Sequence, residues 1–409
     1  QKMAAHSKVQ HENDKLIFTG NKALKKYVSE QQKIKSRILP AEQSNTSITY
    51  ENKFFLKIYR KVDVAINPDL ELTHFLTEHA KFKHIPAYIG AIKWMFGNGK
   101  TMVLGLMQEM VESHSDAWKY MLDRLGLYYE KILGYGRNTP DMPKPKGSLT
   151  QPVPYEEIPD PLKGLIEATV AEQVQLLGVR TGEMHLALAS GEDIPEFKPE
   201  AFSLHYQRSL YSSFQSLVRA AFQSQVRNIK NLKNGTRKEA EEILAMKDDI
   251  LNLFKRIYQK KIDTTKIRIH GDYHLGQALF TGKDFIILDF EGEPARSYSE
   301  RRLKRSPLRD VAGMIRSFHY AAYGALFHNT QLRKEDIAKL TPFAEQWYHY
   351  VSGLFVRSYL KTVEGSSFIP KNKEDLGIML QTYLLEKVVY EMNYELNNRP
   401  DWLIIPLRG

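Results

Sequence analysis

The chain has 409 residues, 42% apolar and 26% charged, with a formal net charge of +10 and no cysteine. This is the composition of a globular protein with room for one large domain or two to three ordinary ones. It excludes disulfides, thiolate catalysis and Cys-ligated zinc, and without a run of 18 or more apolar residues it excludes a membrane-spanning helix.

Positive charge gathers in residues 1–61, with thirteen Lys/Arg against five Asp/Glu, and again around Arg301, Arg302, Lys304, Arg305 and Arg309. No basic–aromatic stacking array or DNA-binding motif goes with it, so we expect a solvated basic surface that partly balances bound phosphate, and no nucleic-acid partner. Residues Gln1–Asp14 are polar, no apolar signal region follows, and a start at Gln suggests a trimmed or excised chain.

In chain order, residues 21–37 are expected to form an exposed basic helix. Glu42–Asn52 reads as a polar turn leading into alternating Ile48 and Tyr50. A bend at Glu51-Asn52-Lys53 then precedes a strand over Phe54–Tyr59. Asn67-Pro68 opens a helix, with Asn67 as cap, Pro68 at the first position and Asp69 and Glu71 in the first turn. Ala87–Phe96 and Thr101–Met110 are strands joined by Gly97-Asn98-Gly99-Lys100, a hairpin signal. Helical patterns follow over Ala117–Ile132, Leu162–Ser190, Ala201–Ile229, Thr236–Lys260, Leu308–Ala325, Lys334–Val363 and Leu376–Leu396, with a proline-rich loop over Asn138–Pro161. The expected architecture is α+β and two-lobed in the manner of protein kinases. A small β-rich N-lobe spans 1–111 and a large, mainly helical C-lobe spans 112–409.

The chemistry concentrates in His270-Gly271-Asp272-Tyr273-His274-Leu275-Gly276-Gln277 and Leu288-Asp289-Phe290-Glu291. One carboxylate at a turn, an amide five residues on and a second carboxylate twelve residues later are what phosphoryl transfer from ATP requires. Protein kinases write the same plan as H-R-D-x-x-x-x-N and D-F-G. Asp272 is the candidate catalytic residue, orienting the acceptor hydroxyl and taking its proton late. Gln277 and Asp289 are the candidate Mg²⁺ ligands, an amide and a carboxylate oxygen being hard donors. Lys57, a charge inside an apolar strand, is the candidate phosphate-binding lysine, paired with Glu71 on the next helix.

No G-x-G-x-x-G covers the phosphates. Ser44, Asn45, Thr46 and Ser47 are expected to form the turn that does, and Glu109 and Val111 lie where a hinge would hold adenine. His270 is expected to hold the turn's backbone and His274 to line the acceptor site. Near the C-terminus Lys387, Tyr390, Glu391 and Tyr394 share one helical face. Two readings stand: a platform on which a sugar stacks, or an amphipathic surface helix. Dependence on ATP would place the protein in the cytoplasm.

Beyond the turn, Leu288-Asp289-Phe290-Glu291-Gly292-Glu293-Pro294-Ala295 and the run Ser306–Phe318 resemble maltokinase. So do Leu176–Leu188, Asn67–Leu72 and Asn397–Trp402, and the likeness extends from about residue 40 to the C-terminus. The resemblance implies transfer of the ATP γ-phosphate to the anomeric hydroxyl of maltose. The product, maltose 1-phosphate, would feed α-glucan synthesis, with trehalose synthase as a fused or associated partner. Carried over by position, Asp272 is the base, Gln277 and Asp289 hold Mg²⁺, and Lys57 contacts phosphates. Lys387, Tyr390 and Tyr394 join His274 and Glu291 in the sugar site, which selects the platform reading. The family's N-terminal cap is not expected, because little precedes residue 40. The alternative acceptor is an amino sugar or aminoglycoside on the same fold.

Overall fold

The computed structural model describes residues 1–31, 33–39, 45–136, 142–329 and 332–409. Its first part is built on a seven-stranded antiparallel sheet of order β1-β2-β6-β7-β5-β4-β3. The strands are β1 (Lys8–His11), β2 (Asp14–Gly20), β3 (Ser36–Ile38), β4 (Asn45–Tyr50), β5 (Phe54–Tyr59), β6 (Tyr88–Met95) and β7 (Thr101–Glu109), with helix α1 (Lys22–Glu30) packed on one face. Within residues 21–37, where the sequence reading placed one exposed helix, the helix covers only Lys22–Glu30, and the sheet takes β1 and β2 before it and β3 after it. Strand β1 is exposed at every position and β2 is part-buried along most of its length, so no alternation marked them.

Glu51 and Asn52 both take positive φ, +48° and +52°, at the centre of the tight turn closed by the Lys53 N–H donating to Tyr50 O at 2.9 Å, in the three-residue loop between β4 and β5. Asn45, Thr46 and Ser47 lie inside β4, not in a turn. Ser44 and the rest of 40–44 fall outside the described residues.

Helix α2 (Pro68–His74) begins as its sequence dictates. Asn67 Oδ1 accepts from the Leu70 N–H at 3.1 Å, and Pro68 occupies the first turn. The helix continues as a wider turn over Phe75–His79.

The second part is largely helical. A two-residue strand, β8 (Ser115–Asp116), leads into α3 (Ala117–Gly134), followed by α4 (Asp160–Ile166), α5 (Ala168–Ala189), the strand β9 (Glu200–Ala201), α6 (Leu204–Asn228), α7 (Asn234–Ala245) and α8 (Lys247–Lys255). The expected continuous helix over Leu162–Ser190 is broken at Glu167, where φ is +67°. Thr236–Lys260 is likewise interrupted at Met246. Strand β10 (Thr265–Lys266) pairs with β9, and β11 (Ala278–Phe280) lies between β8 and β12 (Phe285–Ile287). The chain ends with α9 (Tyr298–Arg301), α10 (Leu308–Phe327), α11 (Lys334–Thr362), α12 (Lys373–Asn398) and α13 (Ile404–Leu407). Helix α10 is buried on almost every face and forms the axis on which α3, α11 and α12 pack. Residues 137–141, at the head of the proline-rich loop, are outside the described residues. Among the described residues no helix is long and apolar enough to cross a membrane.

Candidate active site

The small sheet brings the two halves of the signature together. Ala278 pairs with Ile287 in the β11–β12 ladder, so the residues just outside it, Gln277 and Leu288, are neighbours and the Leu288 N–H donates to the Gln277 carbonyl at 2.8 Å. Twelve residues of chain thus close to one side-chain contact: Gln277 Nε2 donates to Asp289 Oδ2 at 3.0 Å. Asp289 takes φ of +63°, a left-handed conformation rare for a side chain other than glycine. Strain of this kind, of order 1–3 kcal/mol, persists where the surroundings over-determine it.

Those surroundings are a set of clamps. Leu288 O can only accept, so His270 Nε2 is the donor across their 2.7 Å contact. That leaves Nδ1 to accept from the Asp272 N–H at 3.3 Å. Asp310, buried on α10, accepts from the N–H groups of His270 (2.8 Å) and Gly271 (2.9 Å). His185 Nε2 supports the same carboxylate at 3.2 Å and meets the Tyr359 hydroxyl through Nδ1 at 3.0 Å. Burial pushes the Asp310 pKa up, but the hydrogen bond and charge of His185 and the facing donors bring it below the ordinary aspartate value.

Two cavities meet across this turn. The first, about 380 Å³, is lined by Asn45, Phe55, Lys57, Gln108, Glu109, Val111, Gln277 and Asp289 among others. In it Lys57 Nζ donates to Asp289 Oδ1 at 2.7 Å and to Asp69 Oδ2 at 3.0 Å, with Glu291 Oε1 at 3.7 Å. Burial alone would lower the Lys57 pKa, yet Asp69, Asp289 and Glu291 together hold it well above the usual lysine value. Glu291 is pushed up to about 7, by burial first and then by Asp69 and Asp289, against the pull of Lys57.

The expected Lys57–Glu71 pair does not form. Asp69 and Glu71 are two residues apart on α2 and so project to different sides of the helix. Asp69 is fully buried against Lys57 and Tyr59, whereas Glu71 turns to the other part of the molecule and binds Arg268 (2.8 Å) and Arg302 (2.6 Å). The basic run Arg301–Arg309 is likewise not merely a solvated surface. Arg301 grips the carbonyls of Glu291, Pro294 and Arg296, Lys304 binds Glu200, and buried Arg309 binds Glu386 at 3.0 Å.

The second cavity, about 410 Å³, is lined by Asp272, His274, Lys387, Tyr390, Glu391 and Tyr394, together with Trp118, Tyr320, Arg399 and Trp402. The Tyr390 and Tyr394 rings stack at 6.3 Å and 20°, extending one apolar face along α12. Glu391 is held by Arg316 at 2.8 Å, and burial still raises its pKa. Glu395 is taken up by Arg399 and Tyr320. Lys387 forms no ion pair within 4 Å among the described residues and leans over the Tyr390 ring at 5.8 Å. His274 Nδ1 accepts from the Gly276 N–H at 3.1 Å, and burial lowers its pKa, leaving a neutral ring whose proton is on Nε2.

Of the residues singled out in the sequence, the structure therefore gathers Asn45, Lys57, Glu109, Val111, Gln277 and Asp289 at one cavity, and Asp272, His274, Lys387, Tyr390 and Tyr394 at the other. Glu291, read as an acceptor contact, lines neither cavity; it packs behind the first one, where Asn45 Nδ2 donates to it at 2.7 Å and Lys57 lies at 3.7 Å. Thr46, Ser47 and Glu71 line neither. Asp69 and Asp310 were within quoted motifs without a role. Arg268, alone between Ile267 and Ile269, carried the same signal as Lys57, a charge inside an apolar run.

The oxygens of Asp69, Asp289 and Glu291 come within 4.8 Å of one another. With the Gln277 amide beside them they form a hard-donor set that could hold Mg²⁺.

No family model matches the chain. Its sequence is similar to a glucosamine kinase of Mycolicibacterium smegmatis, 30% identical over 142 residues, covering 34% of this chain and 32% of that protein. It is also similar to a glucosamine kinase of Streptacidiphilus jiangxiensis, 21% identical over 237 residues, covering 56% of this chain and 46% of that protein. The matches thus span less than half of either relative's length. In three dimensions, a glucosamine kinase solved with glucosamine, ADP and inorganic phosphate superposes with a TM-score of 0.67 at 15% identity, over 98% of this chain and 79% of that one. A second glucosamine kinase crystal form gives 0.65 at 14% identity, over 100% and 95%. The chain has a two-lobed, kinase-like fold. A β-sheet lobe sits over a mainly helical one, with the candidate site between them.

Proposed function

We propose that this protein transfers the γ-phosphoryl group of ATP to a sugar hydroxyl. One observation carries the reading. A single clamped turn presents Asp272 to one cavity, while Gln277, Asp289 and Lys57 sit in the other. Donor and acceptor thereby meet at one place, which is most of what phosphoryl transfer asks of a protein. Lys57, its charge secured by three carboxylates, binds the donor's phosphates. Asp272 orients the acceptor hydroxyl. As the acceptor oxygen bonds to phosphorus and the bond to the β-phosphate oxygen breaks, Asp272 takes the proton. Gln277 and Asp289, with Glu291 beside them, would hold Mg²⁺, whose charge neutralises the phosphates.

The acceptor we favour is maltose, phosphorylated at its anomeric hydroxyl. The resemblance in Asp289–Ala295 and Ser306–Phe318 supports it. So do a two-ring aromatic platform and a lysine, Lys387, that would repel an ammonium group. Glucosamine is the second reading, favoured by the names of both similar proteins and by Asp272 and Glu391 in the same cavity. Acceptor-dependent ADP formation from Mg²⁺–ATP, measured with maltose, glucose, glucosamine and an aminoglycoside, separates them. Turnover greatest with maltose is expected. Turnover with glucosamine alone overturns the maltose assignment, and none with any sugar overturns the function.

A further inference from the structure

One buried side chain at the first cavity has a polar group whose direction can be assigned. Gln108, the penultimate residue of β7, is 5% exposed and lines the cavity beside Phe55, Glu109 and Val111. Its amide orientation is fixed by chemistry. The Pro86 carbonyl can only accept, so the Nε2 end must face it, and the contact is 3.4 Å. Gln108 Oε1 is then turned the other way. It accepts no hydrogen bond among the described residues, yet it is not a sealed, orphaned atom, so it borders the open cavity.

The backbone next to it is already sorted into used and free groups. The Glu109 N–H donates to Ala87 O at 2.9 Å, and the Met110 N–H to Lys53 O at 2.8 Å. Alternation along the antiparallel ladder then puts the Glu109 carbonyl on the side of its N–H, away from β5 and toward the Pro86–Ala87 segment, and both Glu109 and Pro86 line the cavity. The Val111 N–H donates to no backbone carbonyl among the described residues. The edge therefore offers two acceptors, Glu109 O and Gln108 Oε1, flanking one donor-bearing position, and one donor, the Val111 N–H.

Resting on the kinase reading above, we infer that Gln108 is a specificity-determining residue for the nucleotide: its Oε1 accepts from a 6-amino purine and rejects a 6-oxo purine. Adenine carries two hydrogens on its exocyclic nitrogen, one for the hinge carbonyl and one for Gln108. Guanine would set O6 against two oxygens, leaving buried polar groups facing without a proton between them, the arrangement that discriminates most strongly.

The test is calorimetric titration of the full chain with Mg²⁺–ADP and Mg²⁺–GDP, which needs no acceptor. The native protein is expected to bind ADP at least about tenfold more tightly than GDP. Gln108→Met, which keeps the volume and removes the acceptor, should shrink that ratio by about tenfold, chiefly through weaker ADP binding. Gln108→Thr is the second variant should the first fail to fold, and a matched melting curve certifies either. Equal native affinities, or an unchanged ratio in the folded variant, would overturn the inference while leaving the kinase reading intact. Binding of neither nucleotide by the native protein would overturn both.

Discussion

The two cavities on either side of the Asp272 turn are built by different means. Around Lys57 the polar groups come from a hairpin, a short helix and the two ends of one small ladder, and nearly every one is tied to another within 2.7–3.0 Å. Around Tyr390 they come from one face of α12 and from α3, α10 and the C-terminal turn, with Lys387 left without an ion pair among the described residues. On the proposed function, the first is a fixed device for holding phosphate and metal. The second is a surface whose character depends on a few part-exposed helical positions, which can change without disturbing the turn. On that reading, donor chemistry is written into the fold and acceptor choice onto a helix.

Glu71 gives the sharpest way to break this contrast, because it is near the donor cavity yet serves the architecture. Glu71→Ala strands Arg268, which is 1% exposed, and should destabilise the protein by about 3–5 kcal/mol. Thermal melting checks it, and a variant as stable as the native chain would mean that the tie between α2 and the helical lobe carries little. Next comes Lys57→Met. It should lower turnover by about 10²–10³-fold through lost stabilisation of transferring phosphate. Steady-state rates of a folded variant within a few-fold of native would remove Lys57 from the donor site. The smallest effect belongs to the acceptor side. Lys387→Ala should raise KM for maltose by up to about tenfold, the worth of one hydrogen bond, with kcat nearly unchanged. It should also improve glucosamine relative to maltose. Proportional loss with both sugars would show Lys387 to be structural.

The same contrast governs what could be read from the sequence. The meeting of Gln277 with Asp289 beside the Asp272 turn was legible because these residues lie within twenty positions and a hairpin closes the gap in a fixed way. The cap of α2 was legible from Asn67-Pro68 for the same local reason. What stayed hidden is tertiary. Whether Asp69 or Glu71 meets Lys57 depends on the rotation of α2 against β5, and both are acidic residues of one first turn. Asp310 looks like any acidic residue near a helix start until it is found under the turn. The edge strand β1 and its neighbour β2 lack the alternation that a half-buried strand shows. Glu291 shares a tripeptide with Asp289, but the left-handed residue at 289 re-aims the chain and sends its carboxylate toward Lys57 and Asn45.

The central claim is that Asp272 faces the acceptor across the turn that holds the phosphates, and Asp272→Asn tests it most directly. Asparagine keeps the shape and cannot take a proton. Acceptor-dependent phosphoryl transfer, followed by phosphorus NMR of the product, should fall by about 10²–10⁴-fold, with Mg²⁺–ADP affinity unchanged. A variant that binds nucleotide and transfers at the native rate would contradict the account.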